Sequence, residues 1–142
     1  MVQRLTRLPD WRARFAAEMD RQRSASFAWG KSDCVLGLAG GAIKALTGAD
    51  LTLDWRGRYR SERGALRVLQ EAGFASLGDG LAAHLPEVHP DYADIGDLAL
   101  VGAEGPLKAA LGVFDAAGLI VMTQAGHGWL ERERAYRAFK IG

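Results

Sequence analysis

One apolar segment, residues 35–46, constrains the fold of this chain more than any other part of its sequence. Ser32 before it is a good helix N-cap, and Gly48 after it suits the position that follows a helix end. The sequence therefore predicts a helix over residues 32–47. Because this helix would be apolar nearly all round, we expect it to lie at the centre of the fold, with its glycines allowing close approach of another element.

The rest of the chain changes from helical to strand-like patterning near residue 95. Apolar residues at helical spacing predict three further helices, at residues 10–23, 61–72 and 76–85. Alternating apolar residues predict four strands, at residues 97–101, 110–115, 119–123 and 136–141, with a hairpin turn at residues 116–118. Helices followed by an antiparallel sheet define an α+β domain, in which we expect the central helix to pack on four or five strands.

The length of 142 residues is that of a single domain. We divide residues 1–142 into an N-terminal helix and loop (1–26), a helical part (27–94) and a sheet part (95–142). A net charge of +1 gives no general attraction to nucleic acid or to a membrane surface. No apolar stretch approaches the roughly 18 residues of a membrane span, and no apolar segment follows the basic first residues, so the sequence indicates neither a membrane span nor a signal peptide.

The single cysteine, Cys34, stands near the predicted start of the central helix, directly after Asp33. A helix start favours a thiolate, because its free N–H groups and the positive end of the helix dipole stabilise negative charge. A nucleophilic cysteine also needs a base, whereas a free cysteine without one is typical of a protein core. The sequence leaves both interpretations of Cys34 open. Asp33 would either hold Cys34 or a loop in place or complement the helix dipole.

Three short motifs follow one another in a distinctive order: Asp-Cys at residues 33–34, Gly-Asp-Leu at residues 96–98 and Ala-Leu-Gly-Val at residues 110–113. They resemble the signature of the NlpC-type cell-wall peptidases, small members of the papain-like class of cysteine peptidases. The resemblance implies a papain-like arrangement, with a central cysteine-bearing helix on an antiparallel sheet. An active member would cleave the stem peptides of peptidoglycan.

The base of those peptidases does not carry over to this chain. The histidine that begins their second motif strand falls at Ala110, and the residue that orients it falls near Met122. His127 is the one histidine that could replace the base, although its place between two glycines is typical of an exposed turn. With a single cysteine and three scattered histidines, the sequence predicts no metal site and no cofactor. The missing base favours the core interpretation of Cys34.

Four longer segments carry a second resemblance, which spans the whole chain: residues 29–34, 47–50, 58–61 and 93–97. They are similar to segments of short phage and prophage proteins of unassigned function that are found among tail genes. This resemblance implies a structural or assembly component of the tail tip of a phage, prophage or gene-transfer particle, made in the bacterial cytoplasm. Its partners would be other tail proteins, including hub and tail-tip proteins. The alternative is an active cysteine peptidase that acts on peptidoglycan during cell entry.

One segment near the middle of the chain combines arginines with aromatic residues. If it is extended, Arg56, Arg58 and Arg60 lie on one side and Trp55 and Tyr59 on the other. Such residue types dominate binding hot spots, so we predict that this segment contacts another tail protein. Nucleic acid is an alternative partner, which the near-neutral charge of the chain disfavours. A third interpretation is a solvated connector whose arginines pair with nearby carboxylates.

Overall fold

The computed structural model describes Val2 and residues 4–142, and it has the α+β architecture that the sequence predicts. The helices are α1 (Trp11–Gln22), α2 (Gly40–Thr47), α3 (Glu62–Glu71) and α4 (Leu77–Ala82), and a π-helical segment, Cys34–Ala39, leads directly into α2. The strands are β1 (Glu87–Val88), β2 (Leu98–Gly102), β3 (Ala109–Phe114), β4 (Leu119–Thr123), β5 (Gly126–Leu130) and β6 (Ala135–Phe139). Within this described part of the chain, no helix has the length and apolar character needed to cross a membrane.

The N-cap of the central helix lies one residue later than predicted, because a different side chain caps the helix. The Asp33 carboxylate accepts hydrogen bonds from the backbone N–H groups of Val35 and Leu36, at 2.9 and 2.8 Å. These N–H groups belong to the first turn, which has no partners within the helix. Asp33 is therefore the N-cap, and the prediction of Ser32 in that role is wrong.

The first six residues of the central helix wind more widely than an α-helix. The N–H of Leu38 donates to the carbonyl of Asp33, five residues earlier, at 3.1 Å. A β-carbon at Gly37 would lie 3.0 Å from the backbone of Ser32. The glycine therefore lets this wider turn lie directly against the loop that precedes it.

The central helix lies between α1 and the sheet, as its apolar sequence predicts. Leu38, Ala42 and Leu46 have no exposed surface. They share one core with Leu111 and Val113 of β3. Complete burial of a leucine side chain stabilises a fold by about 1.5–3 kcal/mol, so this contact between helix and sheet is a main source of stability.

The six strands form one antiparallel sheet in the order β1-β6-β2-β3-β4-β5. The sheet is larger than the predicted four or five strands because both edge strands lack a clear sequence pattern. Strand β1 has two residues and lies within residues 27–94, the part predicted to be helical. Strand β5 reads Gly-His-Gly-Trp-Leu, and its glycines interrupt the alternation. The predicted hairpin between β3 and β4 is confirmed by a 2.9 Å hydrogen bond from the Asp115 N–H to the Gly118 carbonyl.

A buried carboxylate at the start of the sheet joins distant parts of the chain. Asp97 accepts hydrogen bonds from the Arg7 guanidinium at 2.9 Å and from the Ile141 N–H at 2.9 Å, and the Lys140 amino group lies 3.1 Å away. Arg7 also donates to the carbonyls of Ile95 and Ile141 at 2.7 Å. Residues near both ends of the chain are thereby fixed to the same side chain.

Candidate functional site

The predicted Asp-Cys pair lies at the junction between the preceding loop and the central helix. Asp33 is fully buried. Besides the N–H groups of the helix start, its carboxylate accepts hydrogen bonds from the Gly30 N–H at 2.9 Å and from the Tyr59 hydroxyl at 2.8 Å. Burial raises the pKa of Tyr59, and the nearby Asp33 carboxylate raises it further, so the hydroxyl stays protonated and donates. Asp33 thus holds two loops in place as well as complementing the helix dipole.

Gly30 allows the two loops around Asp33 to touch. Its φ of +80° lies in the left-handed region, and a β-carbon there would lie 1.9 Å from the carbonyl oxygen of Tyr59. The Gly57 N–H also donates to the Gly30 carbonyl at 3.1 Å. Two of the motifs singled out in the sequence, residues 29–34 and 58–61, therefore meet at one buried carboxylate.

Cys34 follows Asp33 as the first residue of the π-helical segment, and its side chain is 7% exposed. Burial raises the pKa of its thiol to about 12. A backbone hydrogen bond with Leu111 opposes this effect, and the negative charge of Asp33 reinforces it. The favourable position at a helix start is therefore outweighed by loss of solvent.

A cavity of about 340 Å³ lies beside Cys34, among the central helix, α3, α4 and the loop at residues 50–55. Its walls are mostly aliphatic and aromatic, and they include Cys34, Trp55, Phe74 and His84. The His84 ring makes edge contacts with Trp55 and Phe74, at centroid distances of 6.4 and 6.0 Å. The volume falls within the range of small ligand sites, and the apolar walls suit an apolar group.

The three histidines of the chain make their side-chain hydrogen bonds away from Cys34. His84 Nδ1 lies 2.7 Å from the Gly80 carbonyl, which can only accept, so this nitrogen carries the proton. His89 accepts from the N–H of Asp91 in an exposed connection. His127, predicted in an exposed turn and considered as a replacement base, lies instead in strand β5 and is half-buried.

His127 is part of a polar cluster that joins the sheet to α1. Its Nε2 lies 3.3 Å from Oε1 of Gln22, and the amide nitrogen of Gln22 donates to Glu18 and to the Gly37 carbonyl. Burial lowers the pKa of His127, and the charge of Arg23 lowers it further. A neutral imidazole in this position serves packing between α1 and β5.

The strand beside Cys34 presents apolar side chains where a peptidase would need a base. Ala109 and Leu111 belong to the same buried cluster as Cys34. Side chains alternate along a strand, so Ala110 points to the opposite face from Leu111, and it packs against both the cluster of Cys34 and a second cluster. Met122, which corresponds to the orienting residue, pairs with His127 across β4 and β5. This arrangement supplies neither proton acceptor nor orienting group to the thiol.

The arginine and aromatic segment is a series of turns, not the extended segment assumed in the prediction. Tyr59, expected as an exposed anchor, is buried beneath Asp33, and Trp55 is half-buried on the cavity wall. Arg56 donates to the Thr52 hydroxyl at 2.6 Å and lies 3.6 Å from a carboxylate oxygen of Asp50. The contacts of Arg56 agree with the third interpretation of this segment, a connector whose arginines pair with nearby carboxylates.

Arg58 and Arg60 remain on the surface of this segment. The Arg58 guanidinium lies 5.3 Å from the centre of the Trp55 ring. Both arginines line a shallow pocket that they share with residues of α3. Arg58 and Arg60 are therefore exposed, as the binding prediction requires, whereas the buried Tyr59 cannot serve as its second aromatic anchor.

Several residues around the site were missed in the sequence, although two patterns could have revealed them. Phe15, Met19 and Gln22 follow helical spacing, which places the amide of Gln22 on the buried face of α1. Arg63 and Arg67 are four residues apart on α3, which places them side by side at the surface. The wall position of His84 has no comparable signal, because it depends on how α4 packs.

A comparison with known families gives one match that covers almost the whole chain. The model of a domain of unknown function, DUF6950, matches residues 6–141. No curated protein matches the chain. The matched region contains Asp33, Cys34, the cavity and all six strands. The chain therefore belongs to the DUF6950 family.

Proposed function

We propose that this protein is a structural or assembly component of a phage, prophage or gene-transfer-particle tail, with a papain-like, NlpC-type fold that does not catalyse. One observation carries the second half of this proposal: the Cys34 thiol is buried beside apolar side chains of β3, and burial raises its pKa to about 12. A cysteine peptidase needs a thiolate and a base that generates it.

The role of Asp33 explains how an Asp-Cys pair can persist without catalysis. Its carboxylate is fully occupied by backbone N–H groups and by the Tyr59 hydroxyl. Two of these four partners, the Gly30 N–H and the Tyr59 hydroxyl, belong to segments that resemble phage and prophage tail proteins, at residues 29–34 and 58–61. A third such segment, residues 93–97, contains Asp97. These shared segments are thus engaged in structural hydrogen bonds, which supports a structural role for the Asp-Cys pair without catalysis.

The catalytic half is tested by zymography on peptidoglycan with purified wild-type protein and the Cys34→Ser variant. We expect no clearing by either protein. Alkylation by iodoacetamide at pH 7 should be slow in the folded protein and fast after denaturation, because the thiol is buried and protonated. Clearing by the wild type that is lost in Cys34→Ser would contradict the proposal.

The assembly half is tested in a bacterium that carries the gene beside tail genes. We expect the protein in purified particles by mass spectrometry, and we expect a deletion to abolish infectious or transducing particles. A Cys34→Ala gene should restore full titre, because the thiol is not used. Normal particles in the deletion strain would overturn this half of the proposal.

A second candidate is a working cysteine peptidase, and one observation favours it. Cys34 and His84 line the same cavity, and the protonated Nδ1 of His84 leaves Nε2 free to accept a proton. Catalysis by this pair would require the two side chains to approach each other when substrate binds. Zymograms of His84→Gln beside Cys34→Ser test it: loss of clearing in both variants would support the peptidase.

A further inference from the structure

Four arginines surround a shallow pocket between residues 57–61, the end of the connector before α3, and the exposed face of α3. Arg58 and Arg60 come from the connector, and Arg63 and Arg67 come from successive turns of α3. We call this group the arginine pocket. The pocket has a volume of about 660 Å³, which is enough to hold several side chains of another protein.

The charge of the arginine pocket is not neutralised within the described part of the chain. The structure pairs Arg7, Arg14, Arg21, Arg23, Arg56 and Arg137 with carboxylates. Across Val2 and residues 4–142, none of the four pocket arginines makes such a pair. All four are exposed. A local excess of positive charge therefore lies on a chain whose net charge is only +1.

The floor of the pocket indicates which kind of anion fits it. Tyr59 and Val68 line the floor between the guanidinium groups, and both are buried. A peptide with alternating acidic and aliphatic residues can place its carboxylates on the guanidinium groups and its aliphatic side chains on such a floor. The net charge of the chain is only +1, which gives it no general attraction to a continuous polyanion such as DNA.

We infer that the arginine pocket binds an acidic segment of a partner protein, with aliphatic side chains on the floor and carboxylates paired with the guanidinium groups. Arginine holds carboxylates through two parallel hydrogen bonds, which gives such contacts direction as well as charge. The identity of this partner as another tail protein rests on the proposed function. The chemistry of the surface does not depend on it.

The test measures binding of a fluorescent synthetic peptide in which Glu and Leu alternate, by anisotropy at low and at physiological salt. We expect saturable binding in the micromolar range, weakening as salt is raised. A peptide with Gln in place of Glu should bind at least about tenfold more weakly. The double variant Arg63→Gln/Arg67→Gln should also lose about tenfold in affinity.

Two matched variants show whether the effect belongs to the pocket. Arg12→Gln/Arg134→Gln removes the same charge from two other exposed positions and should change affinity less than about twofold. Arg63→Lys/Arg67→Lys keeps the charge but not the paired hydrogen bonds, and it should bind with intermediate affinity. Circular dichroism should show an unchanged fold in every variant, because the side chains are exposed.

Three results would overturn the inference: no saturable binding of the acidic peptide up to about 1 mM, equal loss in both Gln double variants, or tighter binding of a short DNA duplex through the same arginines. The peptide measurement tests the pocket assignment, and the particle experiments test the tail function, so each can be contradicted without the other. Peptide binding without incorporation into particles would leave the pocket assignment standing and remove the tail function. Incorporation into particles without peptide binding would leave the tail function standing and remove the pocket assignment.

Discussion

Asp33 and Asp97 are both fully buried, yet their surroundings differ in charge and in distance along the chain. Asp97 has two cations beside it, Arg7 and Lys140, which come from near the two ends of the chain. Asp33 has neutral partners: three backbone N–H groups close in sequence and the hydroxyl of Tyr59.

This difference shows two ways in which a protein can accommodate a buried carboxylate. Ion pairs join segments that are far apart, and their loss leaves other charges without a partner. Neutral donors fix a local backbone shape, and their loss leaves individual hydrogen-bonding groups unsatisfied. Asp97 therefore holds Arg7 and residues 140–141 beside the sheet, whereas Asp33 shapes the loop that presents Cys34.

The largest effect is expected for Asp97→Ala, which removes the shared partner of Arg7 and Lys140. We expect the free energy of unfolding to fall by about 3–5 kcal/mol, because partly buried cations lose their counter-charge. Urea denaturation followed by circular dichroism measures it. The exposed Asp20→Ala serves as a control and should change stability by less than about 0.5 kcal/mol. A similarly small loss for Asp97→Ala would mean that the cations find other partners.

A smaller loss is expected for Asp33→Asn, because no charge is left unpaired. The amide nitrogen of the new side chain has to face a donor, either an N–H group or the Tyr59 hydroxyl. We expect a loss of about 1–3 kcal/mol in the same denaturation experiment. Faster alkylation of Cys34 should accompany it, since the loop before the helix loosens. A loss equal to that of Asp97→Ala would remove the distinction between the two sites.

Tyr59→Phe isolates one donor of the neutral site. Asp33 keeps its other hydrogen bonds, so the free energy of unfolding should fall by about 1 kcal/mol. Tyr136→Phe is the matched control, because Tyr136 is 54% exposed and should change stability very little. An effect of Tyr59→Phe no greater than that of the control would show that water replaces the hydroxyl at Asp33.

The smallest effect concerns Asp94, which extends the charged site to the surface through Lys140. The hydrogen bond from Lys140 holds the pKa of Asp94 below its usual value of 3.8. A carboxylate whose pKa is lower in the folded state stabilises the fold above the unfolded pKa, and this contribution disappears as pH falls through the folded pKa. The stability difference between wild type and Asp94→Asn should therefore shrink below about pH 4. A difference that stays constant across this range would exclude the linkage.

The two buried carboxylates also show what the sequence could and could not predict. The order of helices and sheet and the central position of the cysteine-bearing helix follow from apolar periodicity, and the structure confirms them. The partners of Asp33 and Asp97 could not be predicted, because Tyr59 and Arg7 lie 26 and 90 residues away from them. Tyr59 was expected at the surface because the segment was assumed to be extended, and its turns bury the ring instead.

Edge strands and cavities could not be predicted from apolar periodicity for a related reason. Strand β5 has two glycines in five residues, so its pairing depends on β4 rather than on its own alternation. The cavity wall at His84 arises from packing of α4 against the connector. In both cases the local structure is determined by contacts with a neighbouring element, which the pattern of the segment itself does not show.

The π-helical segment at Cys34–Ala39 makes the orientation of Cys34 depend on the number of residues in one turn. Each residue of an α-helix advances the side chain by about 100° around the axis. Deletion of one residue from this segment would let ordinary winding continue from α2, leaving its packing unchanged. The cysteine would then point in a different direction from the one it has now. A single-codon deletion in this segment would therefore turn the thiol relative to the cavity, and it would displace the Asp33 cap from its partners Gly30 and Tyr59.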